Sequence, residues 1–279
     1  MLKRFQMFSR LAIRFGLAAA AITTIPCGAF AWGPDGHKII CTIAWDEMTP
    51  GARDRVKAIL HLDTRADFAD TCNWADEYRA THMETIGWHI VRVPQGAASV
   101  DVQRDCSGPQ SCIVARIESE IATLLGGTAA DPAAALKFLA HFVGDVHQPL
   151  HVSLADDRGG FNIEGTYFGV PRNLHGVWDY GIIEHDGRAW GQIAGDLEAK
   201  ITPAERAVWA ASKPLDWANE SLEITLAPAM RDVLRGDTFE LGEAYEKINL
   251  PVALQRMQQA GVRLGGILTS VFNSPHGEK

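Results

Sequence analysis

Histidine and aspartate recur at helical spacing in the middle of this chain. His141 and Asp145 stand four residues apart, and His175 and Asp179 repeat the interval. On an α-helix such a pair shares one face, so both side chains can reach a single cation. His151 follows just past Pro149, where the chain must turn and can re-aim a further imidazole. Two earlier segments add donors: Trp74-Ala75-Asp76-Glu77-Tyr78-Arg79 sets an acid and an arginine three apart, and Trp88-His89 opens an apolar stretch. A third, Trp32-Gly33-Pro34-Asp35-Gly36-His37, brings another imidazole near the start of the chain. Any one of these pieces is equally a helix-surface pair or an amphipathic turn. The whole set, His37, Asp76, His89, His141, Asp145, His151, His175 and Asp179, points to a centre holding several metal ions. Imidazole and carboxylate donors with open positions suit zinc hydrolysis chemistry. His147 lies between two of these donors and is expected to hydrogen-bond around the centre rather than to coordinate.

Those residues need a compartment and a scaffold. Residues 1–31 read as a signal peptide: Lys3, Arg4, Arg10 and Arg14, then an apolar run from Leu17 to Ile25, then Ala29-Phe30-Ala31. The run is too short for a membrane span. The mature domain is thus expected at 32–279, periplasmic or secreted, with no membrane anchor after processing. Cleavage after Ala31 would free the Trp32 α-amine, itself a good metal donor, with its carbonyl closing a chelate ring. Removing four cations and no acid takes the formal charge from −8 to −12. A surface that acidic repels a polyanion, which excludes broad electrostatic gripping of nucleic acid. Metal ions gathered in one cleft would instead attract phosphate locally. Four cysteines remain, an even count that fits an oxidising compartment. Three pairings are possible. Cys106 and Cys112 flank a Ser-Gly-Pro turn, which favours joining them to each other and Cys41 to Cys72.

Helical signals dominate the scaffold. Thr49-Pro50 opens a helix through Leu60, and Asp131-Pro132 opens the helix that carries His141 and Asp145. Ile113, Ile117, Ile121 and Leu124 mark another. Asp216 to Leu234 and Pro251 to Phe272 read as two further long helices. Strand signals are few: Trp88 to Val93, and Phe161 to Phe168 as half of a hairpin within a loop-rich segment from Ser153 to Asn173. The expected fold is mainly α, a single domain of packed helices with a short hairpin.

In this order the motifs resemble the trinuclear-zinc, single-strand-specific nucleases and 3′-nucleotidases. The resemblance rests on Trp32 with His37, on WADEYR at 74–79, on His89, on HFVGD-x-x-QPLH at 141–151 and on LHGVWD at 174–179. Trp217-Ala218-Asn219-Glu220-Ser221 and Ala260-Gly261-Val262-Arg263-Leu264 extend it. It covers essentially the whole mature chain and implies a fold shared with zinc-dependent phospholipase C. It also implies three Zn²⁺: one on Asp76, His89, His141 and Asp145, a second on the Trp32 amine and carbonyl, His37 and Asp145, and a third on His151, His175 and Asp179. A carboxylate shared by two zincs holds them roughly 3.5–4 Å apart, and water between them supplies hydroxide near pH 7. Asp76, Arg79 and Asp145 are then the catalytic set, with Arg79 adding charge to the transition state. Substrates would be single-stranded DNA and RNA and 3′-nucleotides. Fungal members place Phe directly after the residue matching His89, and Asp three after it, in their base pocket; here Ile90 and Arg92 stand there. A Gly-Gly-Asn stretch appears as Gly159-Gly160-Phe161 with Asn162 one place late. Ile90, Arg92, Phe161 and Asn162 are therefore the candidates for substrate contact. Two readings remain beside this one. A zinc phospholipase C has a longer gap before its first histidine and a Glu where Asp179 stands. A non-catalytic zinc-binding periplasmic protein would not need Arg79.

Overall fold

The computed structural model describes residues 32–107, 111–127, 129–156 and 158–273. The expected signal segment and His276 lie outside the described residues. Helices make most of the described chain, and no helix there is long and apolar enough to cross a membrane.

Two helices form the axis. Gly33–Glu47 packs along Glu243–Asn273, the longest helix of the described chain. Each presents residues to both apolar clusters. Cys41, Ala44, Trp45, Leu264 and Leu268 belong to one, with Ile113, Ile117, Leu136, Leu139 and Phe142. Ile39, Ile40, Ile43, Met257 and Ala260 belong to the other, with Trp32, Leu174 and Trp178. The chemistry lies where the clusters meet.

Helix starts follow their local signals. Thr49 caps Pro50–Leu60 and Asp131 caps Pro132–Val146, each accepting a backbone N–H from three residues on. Ile113–Leu125 forms as its apolar spacing predicts. The expected Asp216–Leu234 helix is two helices, Pro214–Leu226 and Pro228–Leu234. Pro228 drives Ala227 out of the helical region, to φ −60 and ψ 144. The last helix begins at Glu243, ahead of the expected Pro251, which sits inside it. A proline favours a first turn, but here the helix runs through Pro251 at the loss of one backbone hydrogen bond, held by the packing of Tyr245 and Ala253 on either side.

The strands are short. Val91–Val93 pairs in parallel with Val152–Leu154, which brings the residues just after His89 beside those just after His151. Only the last part of the expected Trp88–Val93 strand is extended; Met83–His89 is a 3₁₀ turn. Glu164–Tyr167 and Val170–Asn173 form the hairpin, and Thr238–Leu241 joins its first strand in parallel. Both disulfides pair as expected, Cys41 with Cys72 and Cys106 with Cys112.

Candidate metal centre

Seven elements deliver the donors. His37 lies on Gly33–Glu47, Asp76 and Arg79 on the short helix Trp74–Arg79, and His89 ends its 3₁₀ turn. His141 and Asp145 come from Pro132–Val146, and His151 from the 3₁₀ turn Pro149–His151. His175 and Asp179 straddle Leu174–Gly176 and the π-helical turn Val177–Gly181. The i,i+4 pair therefore holds on irregular helical backbone. All eight donor residues are buried, at 4% exposure or less.

They gather into three groups, the first two sharing His141: His37, Asp76 and His141; His89, His141 and Asp145; and His151, His175 and Asp179. Within each group the donor atoms lie within 4.8 Å of one another. Asp145 faces two sides. Its Oδ1 is 3.3 Å from His37 Nε2, while Oδ2 is 2.8 Å from His89 Nδ1 and 3.2 Å from His141 Nε2. Asp76 Oδ1 lies 3.6 Å from His141 Nε2 and 3.9 Å from His89 Nδ1. Arg79 Nη2 forms an ion pair with the same oxygen at 2.9 Å. In the third group His175 Nε2 lies 3.2 Å from His151 Nε2 and 3.3 Å from Asp179 Oδ2.

Backbone carbonyls aim the rings. His141 Nδ1 donates to Cys72 O (2.8 Å), His151 Nδ1 to His89 O (2.7 Å) and His175 Nδ1 to Gly159 O (2.8 Å). In each ring this leaves the Nε2 lone pair for a cation, the usual orientation of a ligating histidine. Asp179 is held by Gln148, whose Nε2 donates to Oδ1 at 2.6 Å. Trp32 is fixed by its indole, which donates to Gly144 O at 3.0 Å. Gly144 is required there, because a Cβ would meet His37 Nδ1 at 2.8 Å.

A cation is also what the groups lack. Both ring nitrogens of His37, Nε2 of His89 and His141, and Oδ1 of Asp145 are buried with no hydrogen-bond partner among the described residues. Each such atom costs its desolvation, about 1–3 kcal/mol. Gathering several at one point makes sense where an ion satisfies them together, so the residues fit a metal.

Electrostatics divides the centre. Burial pushes His151 down to about 4 and His175 well below its ordinary range, the latter aided by His151. Burial also holds the Asp179 carboxyl well above the carboxylate range, against the hydrogen bond from Gln148. Burial thus favours the uncharged form of each of these three side chains. Burial would lower His141 as well, but Asp145 and Asp76 together raise it to about 10. The charged His141 in turn holds both carboxyls below their usual range despite burial. Burial lowers His37 and His89. A metal bound on this side would take the place of the His141 proton.

His147 turns away from the donors. Its Nδ1 meets Val143 O at 2.7 Å and its Nε2 meets Arg263 Nη1 at 2.7 Å. Arg263 and Arg256 share Glu220, and Arg256 reaches Trp217 O and Ser221 Oγ. The Trp217–Ser221 and Ala260–Leu264 motifs thus clamp the end of the His141 helix rather than line the centre. Trp74 and Trp88 pack edge-on against Phe138, and Trp178 is fully buried, as core.

Of the four residues assigned to substrate contact, Asn162 is exposed, and Ile90 and Phe161 are partly exposed. Phe161 stacks on His175, centroids 3.7 Å apart. Arg92 directs Nη1 to protein oxygens.

A helical shell that closes on three sets of buried imidazoles and carboxylates, each able to hold a metal ion, marks the class of metal-dependent helical enzymes. The profile of the S1/P1 nuclease family matches residues 32–273, and the chain belongs to that family. It is 33% identical to Endonuclease 2 of Arabidopsis thaliana, over 86% of this chain and 90% of that protein. It is 26% identical to Nuclease S1 of Aspergillus oryzae, over 92% and 97%. To Nuclease P1 of Penicillium citrinum it is 33% identical, over 53% and 57%.

Proposed function

We propose that the exported, processed chain is a zinc-dependent phosphoesterase that hydrolyses single-stranded DNA and RNA and 3′-nucleotides. The observation that carries this reading is the convergence of buried donors, several of them without a hydrogen-bond partner, into three groups, two of which share His141 and are bridged by the two oxygens of Asp145. Nitrogen and oxygen donors of this kind suit zinc, and three ions is the count that three groups take. Zinc supplies Lewis acidity toward the phosphate and lowers the pKa of a water toward neutrality.

The chain's residues do the rest. Asp145, with one oxygen toward His37 and the other toward His89 and His141, fixes the separation of two ions. Asp76 completes the donor set on that side and orients Arg79. Arg79, buried except at its edge, adds a cation for the equatorial oxygens of the phosphate as charge builds there. His151, His175 and Asp179 would hold a third ion, which would supply charge to stabilise the departing 3′ oxygen. Trp32, once its amine is free, completes the His37 group. Phe161, Ile90 and Asn162 supply the surface against which an unstacked base rests.

A substrate panel tests the reading. Single-stranded DNA, RNA and 3′-nucleotides are expected to be cleaved faster than duplex, and phosphatidylcholine not at all. Lipid cleavage without nucleic-acid cleavage contradicts it, as does no cleavage of any phosphoester by zinc-loaded protein.

A further inference from the structure

Arg92 is the middle residue of Val91–Val93. Its Nη1 donates to Leu150 O at 2.9 Å, to His151 O at 3.3 Å and to Ser153 Oγ at 2.8 Å. All three oxygens belong to the turn and strand that carry His151. A planar guanidinium set among neighbouring oxygens fixes the path of a turn as a lone ammonium cannot. The same group packs against Gly159, where a Cβ would meet Arg92 Nη2 at 2.7 Å and Leu150 O at 2.5 Å. Gly159, at φ +66, also supplies the carbonyl that orients His175.

We propose that Arg92 is a positioning residue for the His151–His175–Asp179 group. It fixes the turn that carries His151 and, through Gly159, the carbonyl that aims His175 Nε2 at the ion. The inference rests on reading that group as a metal site. It does not depend on which phosphoester the protein cleaves.

The test is a competitive chelator titration of zinc from the unsubstituted protein, Arg92→Gln, Arg92→Lys and Ser153→Ala, with melting temperatures of the metal-free forms. In Arg92→Gln one zinc per chain should bind at least about tenfold more weakly, the loss typical when a ligand's support is removed. The other ions should bind as before. Arg92→Lys should recover part of the loss, and Ser153→Ala, which removes one acceptor, should shift the same ion slightly. Hydrolysis by Arg92→Gln should return as free zinc is raised, with KM unchanged. Three results overturn the proposal. One is equal weakening of all the ions in step with a lower metal-free melting temperature. Another is a raised KM with metal binding intact, which makes Arg92 a substrate contact. The last is an unsubstituted protein that binds no metal at this group. If the unsubstituted protein binds zinc yet cleaves no nucleic acid, the nuclease reading falls while the titration still upholds Arg92. Should Arg92→Gln fail to fold, Ser153→Ala decides: an unshifted third ion counts against the proposal.

Discussion

Asp145 is the one side chain whose two oxygens face different donor groups, and it is fully buried. Asp179 serves a single group. Asp145→Asn should therefore lower both activity and metal content further than Asp179→Asn, by the equivalent of a second ion. Rates and metal counts of the two variants, measured together, check this; equal losses would mean that no carboxylate is shared. At this scale much was legible. His141 and Asp145 were visible because helical periodicity puts them on one face, and His175 with Asp179 for the same reason, although their backbone widens into a π turn. The carbonyls of Cys72, His89 and Gly159 that aim three of the rings were not visible, since backbone acceptors leave no mark in residue type. For a related reason nothing local reveals that the oxygens Arg92 Nη1 meets lie some sixty residues on.

At the scale of elements, the two disulfides differ in what they hold. Cys41–Cys72 closes 31 residues and ties the His37 helix to the segment ending at Asp76, with Cys72 O orienting His141. Cys106–Cys112 closes only 6 and touches no donor. In a chain-entropy picture the longer loop contributes about 3–4 kcal/mol and the shorter about 2. Replacing both cysteines of the first pair by alanine should lower the melting temperature more, and should also weaken metal binding. Replacing the second pair should cost stability alone. Thermal unfolding and zinc titration of the two double variants separate these effects. The elements that sequence missed share a cause. Thr238–Leu241 is four residues long, and Thr238 Oγ1 finds its strand partner's carbonyl, Glu164 O, 74 positions away. Pro228 and Pro251 carry the same local signal, yet one starts a new helix and the other sits within a long one. Packing decides between them, and packing is not local.

At the scale of the molecule, acidity has one measurable consequence away from the centre. Glu198 is partly buried, and burial followed by the charge of Asp46 pushes its carboxyl up to about 7. Between its ordinary value of 4.5 and about 7, the folded chain keeps a proton that the unfolded chain has released. Stability from this group is therefore complete below 4.5 and is lost as pH rises through 7. Glu198→Gln should raise the melting temperature at pH 8 by about 2 °C after allowing for solvent screening, and change little at pH 4. Export bears on the centre itself. Trp32 is 1% exposed, and its indole donates to the carbonyl of Gly144, the residue whose added Cβ would meet His37 Nδ1. A protein carrying one extra residue before Trp32 should lose the zinc at that group and keep the other two. Full loading of the extended form would remove Trp32 from the ligand set.

The proposed single-strand nuclease activity depends on three zincs held by these donors. Its most direct test is the rate of single-stranded DNA hydrolysis as zinc is returned to metal-free protein that starts at Trp32. The metal-free chain should be inactive, and activity should rise with bound zinc and level off at three ions per chain. Hydrolysis by the metal-free chain, or a chain loaded with three zincs that leaves the DNA intact, would contradict the account.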